Sequence, residues 1–295
     1  RVAFEGDRVV IDGSGVNKTE APYDLVRTMR ASTYVLAPLL VRLHEARVSL
    51  PGGCAIGERP VDLHLMGLKA LGADLKIEHG DIRGSVKTWK AGRMFLQGAK
   101  GPSVGATIQV MMAATACPGQ THIQGAALEP EIVDVADYLN AMGAQVEGAG
   151  TVSVKIQGGR PLKGTCYRVI PDRIEAATLL VAGAAGGGPV TVTGCPPGLM
   201  ESTLTVLEEA GCAVSRGKER VTVTREERLR PVRVRVGPYP LFPTDMQAQV
   251  TALISVADGT SDLTETIFER RFQHVSELRR MGAQIQILGD CAVVS

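Results

Sequence analysis

The chain has 295 residues, and its 32 Lys and Arg nearly balance its 31 Asp and Glu, so that no basic stripe of the kind that holds nucleic acid is present. Hydrophobic residues make up 44% and charged residues 21%, a globular balance with length enough for two domains. Only 4% is aromatic against 34 glycines, so the cores must be built from Ala, Val, Leu and Ile joined by tight turns. No apolar run reaches bilayer length, and Arg1-Val2-Ala3-Phe4-Glu5 lacks a signal-peptide layout. Cys54, Cys117, Cys166, Cys195, Cys212 and Cys291 show neither CxxC nor Cys/His spacing. They read as reduced thiols of a cytoplasmic protein without a metal site or membrane partner.

In chain order, residues 1 to 15 read as strands, with Gly6-Asp7 as a turn and Phe4, Val9, Val10 and Ile11 as their apolar residues. A buried helix is predicted from Ser32 to His44 and a strand over Ala46 to Leu50. A glycine-rich loop follows, Leu50-Pro51-Gly52-Gly53-Cys54-Ala55-Ile56-Gly57-Glu58-Arg59-Pro60. It leads into a helix whose stripe of Val61, Leu63, Leu65, Met66, Leu68 and Leu71 ends at Gly72. That ending recurs. Leu68 to Ala73, Leu139 to Ala144, Leu207 to Cys212 and Leu278 to Ala283 are one motif used four times, their glycines 71, 68 and 71 residues apart by subtraction. Each glycine suits the left-handed end of an amphipathic helix and precedes an alternating segment that reads as a strand. Upstream of each lies a more apolar helix, over Ser32 to His44, Val104 to Ala116, Arg173 to Ala185 and Asp245 to Ala257. The second and third are so rich in alanine that they are expected to be buried on nearly all sides.

Two features of this pattern point to chemistry. A lone cysteine is most often a small buried apolar residue, but Cys54 lies in a strand-to-helix loop five residues before Arg59. A helix start and a guanidinium both lower a thiol pKa, which makes Cys54 a candidate proton donor or nucleophile; the residues alone leave both readings open. The starts of the apolar helices carry Arg27 and Arg30, then Pro102-Ser103-Val104-Gly105, Pro171-Asp172-Arg173 and Pro243-Thr244-Asp245. Ser103 and Thr244 suit the N-cap. The helix dipole disfavours arginine there, so Arg30 and Arg173 read as anion ligands on a rim of helix starts.

The polar, glycine-rich stretch from Val152 to Gly164 reads as an approach to a domain boundary near Ile170, with two repeat units on either side: residues 1–169 and 170–295. Residues 1 to 15 resemble part of a unit without its helices, and Cys291 to Ser295 stops within a strand. Both ends are therefore expected to have been cut, each by about one repeat.

These residues resemble a known family. Ala21 to Ser32, Leu50 to Gly57, Arg59 to His64, Ser103 to Thr107, Glu129 to Asp134, Pro171 to Glu175, Phe242 to Gln249 and Arg271-Phe272 are similar, in collinear order, to the UDP-N-acetylglucosamine 1-carboxyvinyltransferases. These enolpyruvyl transferases open peptidoglycan synthesis. The resemblance implies an α/β fold of two similar domains, each an inside-out α/β barrel of repeated units with helices at the centre and substrates in the cleft between. It implies transfer of the enolpyruvyl group of phosphoenolpyruvate to the 3-hydroxyl of UDP-N-acetylglucosamine, with release of phosphate and without a cofactor. Oligomeric state is not implied.

For single residues, the resemblance implies that Cys54 is the proton donor and Asp245 the carboxylate near the sugar hydroxyl. Arg59 would hold the phosphate of phosphoenolpyruvate and Arg271 its carboxylate. Arg30, Arg59, Pro60, Val61, Asp62, Leu63, Ser103, Val104, Asp245 and Ile267 match the nucleotide-sugar contacts. Glu129, Glu131, Asp172 and Arg173 belong to the family pattern with a structural role in the cleft. The chain departs from the pattern at Gly101, where the family has lysine and this sequence has Lys100 one place earlier, and it lacks the family's N-terminal Lys-Asn pair and its later arginines. The rivals are a silent UDP-sugar-binding paralogue or inactive fragment, and the related transferase acting on shikimate 3-phosphate. The last has no Gly-Gly-Cys loop.

Overall fold

The computed structural model describes residues 1–50 and 61–295, with Arg30 described by its backbone alone. A hairpin of β1 (Val2–Glu5) and β2 (Arg8–Ile11) turns at Gly6, whose φ of 64° is open to glycine at no steric cost.

The first repeat follows as β3 (Glu20–Ala21), α1 (Tyr23–Val26), a 3-10 turn over Arg30–Val35, α2 (Leu36–Leu43), β4 (Glu45–Ser49), α3 (Asp62–Ala70), β5 (Ala73–Glu78) and β6 (Asp81–Val86). The single helix expected from Ser32 is thus split. Pro38 has no N–H to give back to the preceding turn, which tightens to 3-10, and His44 closes α2 in the left-handed conformation. The second repeat is β7 (Arg93–Phe95), a short hairpin of β8 (Gln97–Gly98) and β9 (Gly101–Pro102), α4 (Val104–Ala114), β10 (Gly119–Gln124), α5 (Pro130–Ala141), β11 (Gln145–Glu147) and β12 (Ser153–Gly158).

The third comprises α6 (Arg173–Gly186), β13 (Val190–Thr193), α7 (Glu201–Glu209), β14 (Ala213–Arg216) and β15 (Arg220–Thr224). The fourth has β16 (Arg233–Arg235), a 3-10 turn over Thr244–Met246, α8 (Gln247–Ile254), β17 (Ser261–Thr264), α9 (His274–Arg280), β18 (Ile285–Leu288) and β19 (Cys291–Val294).

The sheets repeat as the sequence motif does. Their orders are β3-β4-β6-β5, β7-β10-β12-β11, β13-β15-β14 and β16-β17-β19-β18. In each four-stranded sheet the first pair is parallel and the other two antiparallel. The four motif glycines all take positive φ, from 92° to 104°, which turns the chain from helix into strand. Two apolar cores result, one from Val26 to Ile156 and one from Ala176 to Val294.

The stretch from Val152 to Gly164, before the expected boundary, carries β12, which pairs with both β10 and β11 and buries Val154 and Ile156 completely. One expectation is corrected here. Helix α4 is buried nearly all round, but α6 is not. It rests on α7, α8 and strands of its own sheet, and Leu179, Ala182 and Ala185 share an exposed face, with Leu179 at 52% exposure.

Candidate functional site

Cys54, Arg59 and Pro60 lie outside the described residues, as does the side chain of Arg30. The remaining candidates fall into two groups, one on each core.

On the first core they gather at the start of α4. Ser103 caps this helix, its Oγ accepting from the N–H of Ala106 at 3.2 Å, so its side chain serves the expected N-cap role. Val104 is the first helical residue. Val61 and Leu63 are half-buried at the start of α3, Asp62 between them is exposed, and Leu63 lies against the β8 backbone at Gly98. Helix α3 packs along α4, and the ring of the buried His64 fits against Gly105, where an added Cβ would stand 2.5 Å from its Cε1. The 3-10 turn that begins at Arg30 also touches α4, through Tyr34 beside Gly105.

On the second core, Asp245 sits in the 3-10 turn before α8, and Arg271 and Ile267 in the loop after β17. Arg271 donates from Nη2 to Asp245 Oδ1 at 2.6 Å and lies over the Phe268 ring. Both candidates are thus on one spot, and the described contact of the arginine is with Asp245. Sequence reasoning missed what holds them. Glu265, 3% exposed, accepts from the Thr244 hydroxyl at 2.7 Å and from the N–H groups of Ile267 at 2.8 Å and Phe268 at 3.2 Å. One carboxylate therefore ties the Asp245 turn to the loop that carries Ile267 and Arg271. The expected N-cap role of Thr244 is corrected by the same contact, since its hydroxyl goes to Glu265.

Chain neighbours of the two groups meet across the junction of the cores. Lys100, three residues before Ser103, forms an ion pair with Glu269, two residues before Arg271. Gly101 meets Pro238, whose Cγ is 3.0 Å from the place of a Cβ. Since Lys100 is held by Glu269, it is an inter-core contact in this state.

Arg173 is corrected as well. It is not an open anion ligand: Nε donates to Glu131 Oε1 at 2.9 Å, the plane lies 5.6 Å from the Tyr239 ring, and only 10% of the side chain is exposed. Its charge is offset by a carboxylate of the other core, so the arginine that the helix dipole disfavours has a partner that overrides the penalty. Nearby Glu129 is pushed above the usual carboxylate range by burial. Burial, together with the bond it donates to Asp134 at 2.8 Å, pushes the Tyr167 hydroxyl up to about 12.

Among the described residues no three His, Cys, Asp or Glu side chains come together to hold a metal ion, and no helix is long and apolar enough to cross a membrane. A basin lined by Glu45, Arg47, Asp74, Lys76 and Arg83 lies over the first sheet and contains none of the candidates.

The described thiols differ sharply. Burial pushes Cys117 up to about 12 and also raises Cys195 and Cys212, whereas Cys166 is exposed. Iodoacetamide at neutral pH is expected to alkylate Cys166 in the native protein and spare these three. Peptide mass spectrometry reads the result, and labelling of Cys117 as fast as Cys166 would contradict its burial.

With the geometry in hand, comparison places the chain among known proteins. A family model described as EPSP synthase (3-phosphoshikimate 1-carboxyvinyltransferase) matches residues 2–295. The UDP-N-acetylglucosamine 1-carboxyvinyltransferase of Photobacterium profundum is 50% identical over 286 residues, covering 97% of this chain and 68% of that protein. A protein of the same name from Desulfosudis oleivorans is 48% identical over 295 residues, covering 100% and 70%. Among solved structures, the enolpyruvyl transferase NikO from Streptomyces tendae aligns with a TM-score of 0.87 at 23% identity, over 100% of this chain and 70% of that one. At such identity the structural likeness speaks for the fold alone.

Proposed function

The chain belongs to the EPSP synthase family of carboxyvinyl transferases, and from that premise we propose that it transfers the enolpyruvyl group of phosphoenolpyruvate to the 3-hydroxyl of UDP-N-acetylglucosamine, releasing phosphate. The observation that carries this reading is the 50% identity to a transferase of that name across 97% of the chain. Its fold is the two-domain α/β fold of the enolpyruvyl transferases, and we assign the domains as residues 1–169 and 170–295.

The chemistry assigns roles as follows. The Cys54 thiol gives its proton to the methylene carbon of phosphoenolpyruvate, while Asp245 takes the proton of the sugar hydroxyl and the freed oxygen bonds to the central carbon. The new methyl group then loses a proton, phosphate leaves from the central carbon, and the double bond re-forms. Arg59 neutralises the phosphate. Arg271 serves the donor carboxylate, and its contact with Asp245 supports a site where donor and acceptor meet over one ion pair. Arg30, Arg59 to Leu63, Ser103, Val104, Asp245 and Ile267 contact the nucleotide sugar, with the free amides at the start of α4 suited to its diphosphate. Arg173, Glu131 and Glu129 shape the junction instead. In the cell such an enzyme acts in the cytoplasm at the first committed step of peptidoglycan synthesis, and so in cell-wall growth, shape and division. It is a target for fosfomycin.

The test is phosphate release from phosphoenolpyruvate by the full-length protein. It is expected with UDP-N-acetylglucosamine and not with shikimate 3-phosphate. Release with the shikimate ester alone would overturn the acceptor, and tight binding of the UDP sugar without any release would make the chain a silent binding paralogue.

A further inference from the structure

Three of the segments assigned to the nucleotide sugar are far apart in sequence: the turn that starts at Arg30, the start of α3 at Val61 to Leu63, and the start of α4 at Ser103-Val104. We propose that Gln109, on the second turn of α4, is the positioning residue that holds the three together and so sets the affinity for UDP-N-acetylglucosamine. The proposal rests on that assignment of contacts.

Gln109 is 1% exposed. Its Nε2 donates to the carbonyl of Thr33 at 3.1 Å and lies 3.0 Å from Nδ1 of His64. Thr33 belongs to the Arg30–Val35 turn, His64 follows Leu63 directly, and Gln109 stands six residues after Ser103 on the same helix. One amide nitrogen thus reaches both of the other described segments of the site on this core.

The bonds also dictate chemistry. A carbonyl oxygen can only accept, so the amide must turn its nitrogen toward Thr33. The same nitrogen then offers its second N–H to His64, whose Nδ1 must supply a lone pair. A neutral His64 is therefore fixed as the tautomer that carries its proton on Nε2. Gly105 and Gln109 are four residues apart and share one face of α4. The Cε1 and Nε2 edge of the ring rests against Gly105, with the amide supporting it one turn further along.

The other end of the amide, Oε1, is buried without a hydrogen-bond partner among the described residues, and a hydrocarbon of the same length would avoid that cost. What the amide supplies and a hydrocarbon cannot is the directed link between Thr33 and His64.

The experiment uses the full-length protein. Gln109→Met keeps the length and removes both bonds, and is expected to raise KM for UDP-N-acetylglucosamine by about five- to thirtyfold, the loss of one or two hydrogen bonds. KM for phosphoenolpyruvate and kcat should each change by less than about twofold, because the lost contribution is to binding of one substrate. His64→Phe should raise the same KM, and the double variant should be no worse than the poorer single one. Imidazole nitrogen NMR should find His64 protonated at Nε2 in the parent protein, with its Nδ1 signal shifted in Gln109→Met as the bond to the amide is lost. Should that variant fail to fold, Gln109→Glu, which keeps the shape but loses the donor, is expected to show the same KM rise. If Arg30→Ala and Ser103→Ala raise this KM and the Gln109 variants do not, the proposal is overturned while the site assignment stands. If none of them raises it, the assignment fails and the proposal with it.

Discussion

Cys54→Ser is expected to lower kcat of the full-length enzyme by about 10²- to 10⁴-fold, the usual contribution of a positioned proton donor. A serine hydroxyl is a far weaker acid than a thiol, so it can occupy the loop but cannot hand over its proton at neutral pH. Fosfomycin offers a second readout. It should add once, to the peptide holding Cys54, and phosphate release should stop with the same time course. Cys117, Cys195 and Cys212 are poor competitors, since burial raises each of them, and exposed Cys166 is the control for non-specific addition. Full turnover by Cys54→Ser would remove the proposed donor from the mechanism.

Gly158→Ala is expected to cost at least about 3 kcal/mol of stability, the upper end of what overpacking exacts. Gly158 ends β12 against the last turn of α4. A Cβ there would lie 2.1 Å from the Ala114 carbonyl oxygen, 2.4 Å from that of Cys117 and 3.1 Å from that of Thr115. These are backbone atoms, so no rotamer change relieves the clash; either the strand or the helix must move. Since α4 also carries Ser103 and Gln109, the loss should reach the site. Urea unfolding reads the effect as a lower midpoint with an unchanged slope. Gly164→Ala is the control, because nothing lies within 4 Å of its Cβ position, and it should stay within about 0.5 kcal/mol. Equal midpoints for the two variants would show that the strand end is not packed as described.

What the sequence made legible was local. Gly72, Gly143, Gly211 and Gly282 announce the helix ends because positive φ leaves few alternatives to glycine, and the alternation after each announces a strand. In the stretch from Val152 to Gly164 the glycines drew attention to the boundary beyond it, while the alternation of Val154 and Ile156 marked the strand within it. The exposed face of α6 was illegible for another reason: an alanine-rich helix gives no sign of which side lacks a neighbour. Of the described candidates, Ser103 and Val104 lie at the expected start of α4, whereas Ile267 and Arg271 lie in a loop, and the partners of these segments were not legible at all. Glu131 is 42 residues from Arg173, Thr33 is 76 from Gln109, and Lys100 is 169 from Glu269. Nor does sequence pattern distinguish a buried polar residue such as Glu265 from a solvated one; only the count of donors aimed at it does.

Among the described residues, two ionic ties join the cores, and they are unequal. Lys100 and Glu269 have side chains 52% and 59% exposed, whereas Arg173 is 10% exposed and stacked on Tyr239. Dissolved ions screen the first pair far more than the second. As ionic strength rises, the contact beside Ser103 and Arg271 weakens more than the one beside Glu131, so salt loosens the junction from the side that carries the candidates, with the Glu131 side as its fulcrum.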